Sequence, residues 1–516
     1  MTHVAAPRTR MPPQVPYIIG NEGCERFSFY GMRNILTPFL VTSLLLYLPE
    51  DQRAAAAKDV FHTFVIGVYL FPLLGGWIAD RFWGKYNTIL WFSLVYCVGH
   101  ACLAWFEDDL HGFYAGLGLI AFASGGIKPC VASFVGDQFD RSTKHLAKVV
   151  FDAFYWIINF GSFFASLLMP VFLREYGASV AFGIPGMLMA IATLIFWLGR
   201  KHYVMLPPAP SSPDSFLRVR RTALLAQQPG RARPGLALAL VGALAGAVVL
   251  AFTPQLGIVI TFCLALVLLI GFGGSGAWLQ LDRAEAVHPA EAVEGVRAVL
   301  RLLLIFALVT PFWSLFDQKA STWVLQAADM TRPDWFHPAQ MQALNPALVM
   351  LLIPFNNLVL YPALRRRGYE MTGLRRMTTG MASAGLAWIA AGGFQLVIDA
   401  GDPISIAWQI LPYALLTFGE VLVSASGLEF VYSQAPQSMK GTIMSLWYLA
   451  VTTGNLWVLV VNAGVRNDRV LGTIADTGLS TDAFLMFFFA GFAFVTAVVF
   501  GLYARHYREV DNYRSA

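Results

Sequence analysis

Long apolar stretches separated by short charged clusters are the feature that most constrains the fold of this chain. Leu236–Phe252 and Ala483–Tyr503, for example, contain no Asp, Glu, Lys or Arg. A bilayer core takes roughly 20 apolar residues of helix per crossing, because each backbone polar group must be paired within its own segment. By this rule the 516 residues hold about fourteen spans. Only 13% of the residues are charged, against about 25% in soluble domains. The sequence therefore predicts an all-α polytopic membrane protein.

The order of the spans predicts two halves of similar plan with an insertion between them. We expect an N-terminal six-helix bundle, a cytoplasmic linker, an inserted transmembrane hairpin and a C-terminal six-helix bundle, at 17–203, 204–235, 236–281 and 295–507. The linker is rich in proline and arginine, which predicts a solvated stretch. Two bundles with a site between them near the middle of the membrane are the plan of many secondary transporters.

The basic residues of the short loops predict the orientation in the membrane. Lys and Arg collect on the cytoplasmic side, and alternate loops carry them here, as in Arg81–Lys85 and Arg365–Arg367. We therefore expect a multi-pass protein of the inner cell membrane with both termini in the cytoplasm. Met1–Pro16 lacks the apolar core of a signal peptide, and the net charge of +5 is too small to indicate a nucleic-acid partner. The five cysteines lack the spacing of a metal site, so neither a metal nor a cofactor is expected.

A polar stripe runs along the first span. Glu22, Glu25, Arg26, Tyr30 and Arg33 lie three, four or seven residues apart, which places them on one face of a helix. An ionisable group in a span costs at least about 2.5 to 3.5 kcal/mol, so it normally faces a partner or a polar cavity. A self-neutralising structural cluster is one interpretation of the stripe. Five polar groups on a single face favour the other interpretation, a cavity wall.

Three further charged residues stand inside apolar spans. Lys128 is too deep for its side chain to reach an interface easily, and it therefore needs an anion. Glu420 is placed at a similar depth in the other half, which makes an ion pair with Lys128 possible. Asp317 is placed at about the depth of Arg33 and offers a second such pair. An acid that loses its cation becomes easier to protonate, and a proton-coupled gate requires this property.

Three motifs carry a resemblance to a known family. The first span holds two glutamates and an arginine followed by aromatic residues and a glycine, the loop Gly76–Lys85 has a characteristic form, and Phe154–Ser162 matches a fifth-helix motif. In these motifs and over nearly its whole length, the chain resembles the bacterial proton-coupled oligopeptide transporters of the major facilitator superfamily. The resemblance implies a major facilitator fold of two six-helix bundles, and the inserted helix pair fits bacterial members.

The resemblance also implies roles for single residues. For proton coupling it implies Glu22, Glu25, Arg26, Lys128 and Glu420. For peptide binding it implies Tyr30, Arg33, Tyr69, Lys128, Asn159, Trp313, Asn345, Glu420, Ser424 and Trp447. The pairs of Arg33 with Asp317 and of Lys128 with Glu420 resemble the outer and inner gate salt bridges of the family. No residue is expected to be catalytic, so the protein is not predicted to be an enzyme.

Two positions depart from the family pattern. Phe29 stands where the first tyrosine of the aromatic pair is common, so a hydroxyl group that is often available to substrate is missing. Asp317 stands where glutamate is common. Because its side chain is shorter by one methylene, we expect its pair with Arg33 to be longer or water-bridged. Isolated aromatic residues in spans, such as Tyr69, Trp313 and Trp447, are otherwise typical of packing.

The predicted function is proton-coupled symport of di- and tripeptides into the cytoplasm by alternating access. The expected partners are the peptides, protons and the lipid bilayer, and we expect a functional monomer. Uptake of another small anion or peptide-like solute, such as nitrate, is the alternative within transport. A membrane-embedded enzyme or receptor is disfavoured because the sequence has no nucleophile with a base, no metal-ligand cluster and no soluble domain. A channel would show transport rates that do not saturate.

Overall fold

The computed structural model describes residues 11–139, 144–208, 213–227, 232–434 and 440–507. The described chain is almost entirely helical, and no β-strand occurs in these ranges. Its first helices are α1 Val15–Phe39, α2 Glu50–Leu70, α3 Pro72–Ile78, α4 Gly84–Trp105, α5 Leu110–Asp137 and α6 Lys144–Leu198. The middle of the chain forms α7 Phe216–Leu225, α8 Pro234–Ala251, α9 Thr253–Leu256 and α10 Ile258–Leu279. The remaining helices are α11 Ala290–Asp317, α12 Thr322–Ala328, α13 Leu344–Phe355, α14 Tyr361–Arg366, α15 Gly373–Asp399, α16 Ile410–Gln434, α17 Lys440–Gly464, α18 Asp468–Ala475 and α19 Thr481–His506.

Length and hydropathy make most of these helices candidates for membrane spans. In the described residues, 11 helical stretches are long and apolar enough to cross a bilayer. Glu50–Trp105 has 56 residues and Ala153–Lys201 has 49. Each of these two is long enough for two crossings, and the charged helix α1 is not among the 11. The predicted all-α polytopic fold class is therefore confirmed, and the number of helices agrees approximately with the predicted number.

Glycine and proline explain where the long helices break. Gly177 interrupts α6 with a φ of 83°, a backbone conformation that residues with a Cβ rarely adopt, and it separates the predicted fifth and sixth spans. In α1, Pro38 is followed by one π-helical turn at Leu40–Leu44. In α13, Pro354 is followed by another at Asn356–Leu360. Proline removes a backbone hydrogen bond, so a local change of helical pitch follows it.

The chain divides into two compact units. Unit 1 contains the described residues of Met1–Pro210, Asp317–Arg367 and Gly393–Phe418. Unit 2 contains those of Ser211–Phe316, Gly368–Gly392 and Gly419–Ala516. Several helices of the second half of the chain are thus divided between the units, whereas α1 to α6 lie wholly in unit 1. The domain boundaries expected from the sequence remain a prediction.

The core of unit 1 is formed by close packing of α1 on α6 and of α4 on α5. Phe39 of α1, Phe113 of α5 and Phe182 of α6 are buried together, with ring centroids 5.0 to 5.3 Å apart. Between α3 and α5 the backbones approach so closely that a Cβ on Gly75 would overlap the carbonyl group of Gly125. Small residues allow this approach where helices meet in a membrane. The packing holds α1 and α5, which carry the predicted charged residues, in fixed positions.

In unit 2, α8 and α10 form the inserted hairpin. The two helices touch where a Cβ on Gly235 would overlap the carbonyl oxygen of Gly276. Their outward side chains are apolar, as at Leu240 and Leu244, which are 60% and 68% exposed. Exposed leucines on charge-free helices suit contact with lipid hydrocarbon rather than with water. These contacts agree with the predicted transmembrane hairpin.

The helix α7 lies within the stretch predicted to be a solvated linker and is not expected from the sequence. Phe216, Val219 and Ala223 are buried on one face of this helix, because spacings of three and four residues bring them together. Gln280, which follows α10, donates from Nε2 to the carbonyl oxygens of Ala223 and Leu224, at 2.9 Å each. This part of the linker is therefore attached to the base of the hairpin.

Candidate functional site

The polar stripe of α1 contains a compact cluster of charges. Arg26 Nε lies 2.8 Å from Glu22 Oε1 and 2.6 Å from Glu25 Oε2. All three side chains are buried, and Glu25 is 0% exposed. The contacts are close enough for ion pairing but are not aligned as hydrogen bonds, so both oxygens of Glu25 lack a hydrogen-bond partner in the described chain. One arginine therefore balances two adjacent acids, and the cluster has a formal charge of −1 when both acids are ionised.

Lys128 of α5 is held by aromatic rings. Its Nζ lies 4.1 Å from the ring centroid of Phe29 and 4.5 Å from that of Tyr69, a favourable position for an ammonium group. Lys128 takes part in none of the ion pairs found in the described part of unit 1. It interacts electrostatically with Glu25 and with Arg26. At Phe29, where the sequence departs from the family pattern, the ring without a hydroxyl group lies against this lysine.

Arg33 and Asp317 form a direct, buried ion pair. Arg33 Nη2 donates to Asp317 Oδ1 at 2.6 Å, and the two residues are 6% and 2% exposed. The expectation of a longer or water-bridged contact is wrong. The long arginine side chain makes up for the shorter acid, and its guanidinium group also lies 5.2 Å from the ring centroid of Phe61.

Further contacts surround this pair within unit 1. Thr37 Oγ1 donates to the carbonyl oxygen of Ala320 at 2.9 Å, and His62 Nε2 lies 3.1 Å from Ser321 Oγ. Gln342 Nε2 donates to the carbonyl oxygen of Asn34 at 3.1 Å. Each contact joins a helix of the first half of the chain to a residue of the second half. We call the Arg33–Asp317 pair and these three contacts the outer contact layer.

Lys319 is a buried charge that the sequence analysis missed. Its Nζ donates to Asn345 Oδ1 at 2.9 Å, and Asn345 Nδ2 donates to Thr417 Oγ1 at 3.0 Å. Lys319 is 4% exposed. Its position two residues after Asp317, in an otherwise apolar stretch, was the signal that could have identified it. The amide of Asn345, predicted to bind substrate, is therefore engaged by protein groups on both sides.

The other predicted binding residues of unit 1 lie on α1, α2 and α6. Tyr30 and Tyr69 are half-buried, and Tyr69 stands beside Lys128. Asn159 is largely buried and donates from Nδ2 to the carbonyl oxygen of Tyr155, one turn earlier in α6, at 3.0 Å. The structure thus brings Tyr69 to the charged residues of unit 1, and the roles of all three remain predictions.

In unit 2, the predicted residues lie on α11, α16 and α17. Trp313 and Trp447 pack edge to face, with ring centroids 6.0 Å apart. Both are buried, and the Nε1 atom of Trp313 has no hydrogen-bond partner in the described chain. Glu420 and Ser424 are half-buried and lie one helical turn apart on α16. The proposed pair of Glu420 with Lys128 remains a prediction.

The loop after α12 carries a pH-sensitive helix cap. His337 and Gln340 have the capping-box arrangement at the start of the short 3-10 helix Pro338–Ala343. The His337 backbone N–H donates to Gln340 Oε1 at 2.7 Å, and the Gln340 backbone N–H donates to the His337 carbonyl oxygen at 2.9 Å. Gln340 Nε2 donates in turn to the carbonyl oxygen of Leu167 in α6, at 2.9 Å. Burial, assisted by two nearby arginines, lowers the pKa of His337 below its ordinary value, and Glu175 opposes this shift. The neutral ring is therefore the form that fits the fold.

We expect this cap to weaken in acid. A histidine whose pKa is lower in the folded state contributes its full stability above the unfolded pKa of about 6.5, and this contribution decreases as the pH falls from there towards the folded pKa. His337→Asn keeps an acceptor at the cap position but cannot acquire charge. Between pH 7.5 and 5.5 the wild type should lose roughly 1 to 2 °C more in melting temperature than the variant. Parallel pH curves for the two proteins would contradict the assignment of this cap.

The chain is similar in sequence to a known protein family and to several of its members. A family model described as POT family matches residues 86–471. Peptide transporter 3 of Caenorhabditis elegans is 33% identical over 406 residues, which are 75% of this chain and 51% of that protein. Human solute carrier family 15 member 2 is 32% identical over 437 residues, which are 81% of this chain and 54% of that protein. The chain thus spans about half the length of the curated relatives it matches.

Two crystal structures are similar over almost the whole chain. One is of an auto-inhibited POT family peptide transporter, which is 67% identical with a TM-score of 0.95 over 98% of this chain and 99% of that chain. The other is of the POT family transporter PepTSo, which is 65% identical with a TM-score of 0.96 over 98% of this chain and 100% of that chain. At this identity and coverage, the likeness extends to the sequence as well as the fold.

Proposed function

Since the chain belongs to the POT family, we propose that it is a proton-coupled symporter that carries di- and tripeptides into the cytoplasm by alternating access. The resemblance inferred from the three sequence motifs is confirmed. The family consists of transporters and not of enzymes, and the chain is a multi-pass membrane protein.

The observation that carries the proposal is the grouping of Glu22, Glu25 and Arg26 with Lys128 inside the membrane-spanning part of unit 1. With both acids ionised, these four residues have no net charge. An added proton makes the group cationic, and an added peptide carboxylate restores neutrality. Binding of a proton and binding of an anion are therefore mutually favourable here, as symport requires.

Recognition of the peptide ends would come from charges of opposite sign. Arg33 and Lys128 suit the peptide carboxylate, and Glu420 suits the amino group, because charge-assisted hydrogen bonds are the strong ones. The polar side chains of Tyr30, Tyr69, Asn159, Asn345 and Ser424 would hold the backbone, and Trp313 and Trp447 would line side-chain pockets. Since every di- and tripeptide has the same ends, such a site tolerates varied side chains.

Alternating access requires gates that open in turn. We assign the outer gate to Arg33 with Asp317, supported by their 2.6 Å contact, and the inner gate to Lys128 with Glu420. We place the protein in the inner membrane of a bacterium as a functional monomer, with both termini cytoplasmic. Each proton that enters supplies about 2.3 kcal/mol per 100 mV of membrane potential, which is enough to drive accumulation.

The test is uptake by the purified protein in liposomes. An inward proton gradient should drive accumulation of labelled dialanine, and unlabelled di- and tripeptides should inhibit it whereas free alanine should not. A protonophore should abolish the accumulation but not the exchange of peptide across the membrane. Failure of correctly folded protein to take up dialanine would contradict the proposal. Saturable uptake of nitrate in the same vesicles would then support the alternative of a small-anion symporter.

A further inference from the structure

A stripe of buried polar side chains runs along α4. Ser93, Tyr96 and His100 are spaced by three and four residues, so they lie on one face of the helix. Each is at most 1% exposed. The Ser93 and Tyr96 hydroxyl groups have no hydrogen-bond partner in the described chain. Burying a polar atom without a hydrogen-bond partner lowers the stability of the fold, so a native protein that keeps such atoms has a reason for them. None of these residues has a role in the site described above.

A hydrogen bond sets the register between this stripe and α1. His100 Nε2 lies 3.0 Å from Ser28 Oγ. Glu25 precedes Ser28 by three residues and Tyr96 precedes His100 by four, which is about one helical turn in each case. As the first and third spans, α1 and α4 run in the same direction, so Tyr96 and Glu25 lie at about the same level along the two helices. At this level the Tyr96 phenol interacts electrostatically with both Glu25 and Arg26.

The contact of α4 with α6 keeps this register in place. Gly186 of α6 packs against His100, where a Cβ on the glycine would lie 3.0 Å from His100 Cβ. Cys97, next to Tyr96, lies with its Sγ 3.8 Å from Thr193 Oγ1, also on α6. Both contacts reduce the freedom of α4 to rotate, and rotation is the motion that would turn Tyr96 away from Glu25.

Glu25 needs the kind of group that Tyr96 offers. Its two oxygens lack a hydrogen-bond partner, although Arg26 Nε is only 2.6 Å away. The charged groups around it are Glu22 and Arg26 on α1 and Lys128 on α5, and α6 presents Gly161 to the adjacent backbone of α1. A phenol can donate to a carboxylate and can also accept from a carboxylic acid. It is therefore able to satisfy Glu25 in either protonation state.

We propose that Tyr96 is a positioning residue for proton coupling. Its hydroxyl group and both Glu25 carboxyl oxygens are without a hydrogen-bond partner in this structure, and movement of the two side chains during the transport cycle joins them in either protonation state of Glu25. When Glu25 is ionised, the Tyr96 O–H donates to a carboxylate oxygen. When Glu25 takes up a proton from the transport pathway, the phenol rotates and its oxygen accepts that proton in a hydrogen bond. Tyr96 itself neither gains nor loses a proton. This inference rests on the proposed function, in which Glu25 carries the coupled proton.

The test compares Tyr96→Phe with a matched control, Tyr203→Phe. The Tyr203 hydroxyl is also buried without a hydrogen-bond partner, but its ring packs on Phe134 and Phe196, away from Glu25. Driven uptake of dialanine is measured in liposomes as a function of external pH, together with peptide counterflow, which needs no net proton movement. We expect Tyr96→Phe to move the pH of half-maximal uptake upward by roughly one unit, because the ionised carboxylate loses a donor.

Counterflow by Tyr96→Phe should stay within about twofold of the wild type, since peptide exchange does not require Glu25 to release its proton. Tyr203→Phe should match the wild type in both assays. Fluorotyrosine at position 96 keeps the hydroxyl group and strengthens it as a donor, so it should move the pH profile in the opposite direction. This variant also supplies the test if Tyr96→Phe does not fold.

An unchanged pH profile for Tyr96→Phe or for the fluorotyrosine protein overturns the inference. So does a loss of driven uptake and counterflow in equal proportion with no shift in pH, because that result shows a structural role. These outcomes are distinct from failure of the proposed function. In that case the wild-type protein itself would show no uptake driven by the proton gradient.

Discussion

Replacing Lys128 with alanine is expected to abolish proton-driven peptide uptake. The substitution removes the ammonium group that suits the peptide carboxylate, and it leaves Glu22, Glu25 and Arg26 with one excess negative charge. Loss of a charge-assisted contact of this kind costs roughly 1.5 to 3 kcal/mol, which corresponds to roughly a 10- to 100-fold loss of rate. Removal of the charge balance adds to this cost, so uptake should fall to background. Initial rates of labelled dialanine uptake under an inward proton gradient measure the effect.

Two further substitutions make this result specific. Lys201 is exposed at the end of the sixth span, and Lys201→Ala should transport at the wild-type rate. Lys128→Arg keeps the positive charge and the aromatic contacts but changes the geometry, so it should retain partial uptake. If Lys128→Ala concentrated dialanine as the wild type does, the assignment of Lys128 to proton and peptide coupling would be wrong.

The second large effect is expected at the outer gate. Asp317→Ala leaves the Arg33 guanidinium group buried without its carboxylate, and removal of one partner of a buried pair costs about 3 to 5 kcal/mol. The outer contact layer should therefore open more readily, and accumulated dialanine should leak outward. We expect the steady-state accumulation ratio to fall at least about tenfold, because the lost contact energy exceeds 1.4 kcal/mol. Accumulation at steady state, together with efflux into peptide-free buffer, measures the change.

An exposed ion pair of the same unit provides the control. Arg174 Nε lies 2.7 Å from Glu175 Oε1, and the two side chains are 46% and 49% exposed. Surface pairs of this kind contribute about 0 to 1 kcal/mol, so Glu175→Gln should leave accumulation nearly unchanged.

The charge swap Arg33→Asp with Asp317→Arg tests the pair itself. It should reduce efflux relative to Asp317→Ala, even though it removes the cation that suits the peptide carboxylate. Efflux from Asp317→Ala equal to that of the wild type would show that this pair does not hold the outer side closed.

Much of the fold could be predicted from local properties of the sequence. A run of apolar residues long enough to cross a bilayer must form a helix, whatever its neighbours are, and the all-α fold and the approximate number of spans followed from this rule. Gly177 lies between the predicted fifth and sixth spans for an equally local reason, its positive φ. The helix α7 was missed because Pro207 to Pro210 and the arginines suggest a solvated stretch. Its three buried residues, Phe216, Val219 and Ala223, form one apolar face that packs within unit 2 and stabilises the helix.

The candidate site was predicted in part. Charges in apolar spans identified Glu22, Glu25, Arg26 and Lys128 individually, since an ionisable group at that depth is too costly to be incidental. The length of the Arg33–Asp317 contact was predicted wrongly, because a distance between residues 284 positions apart depends on helix packing and not on side-chain length alone. Tyr96 was missed because a tyrosine in an apolar span has no distinctive spacing. Lys319 was missed although its charge lies in an otherwise apolar stretch, because its nearness to Asp317 suggested a local pair.

The sequence by itself determined that this protein lies in a lipid bilayer, that it is helical and to which family it belongs. It also determined which charged residues lie inside the membrane spans. These properties depend on residue type and on spacing along one helix, which are present before any helix meets another. Only the tertiary structure decided that Arg33 reaches Asp317 directly, that aromatic rings hold Lys128, and that Ser28 of α1 meets His100 of α4. Those relations depend on the rotation and register of helices that are distant in the chain. Close packing at glycine residues and between aromatic rings fixes the rotation and the register.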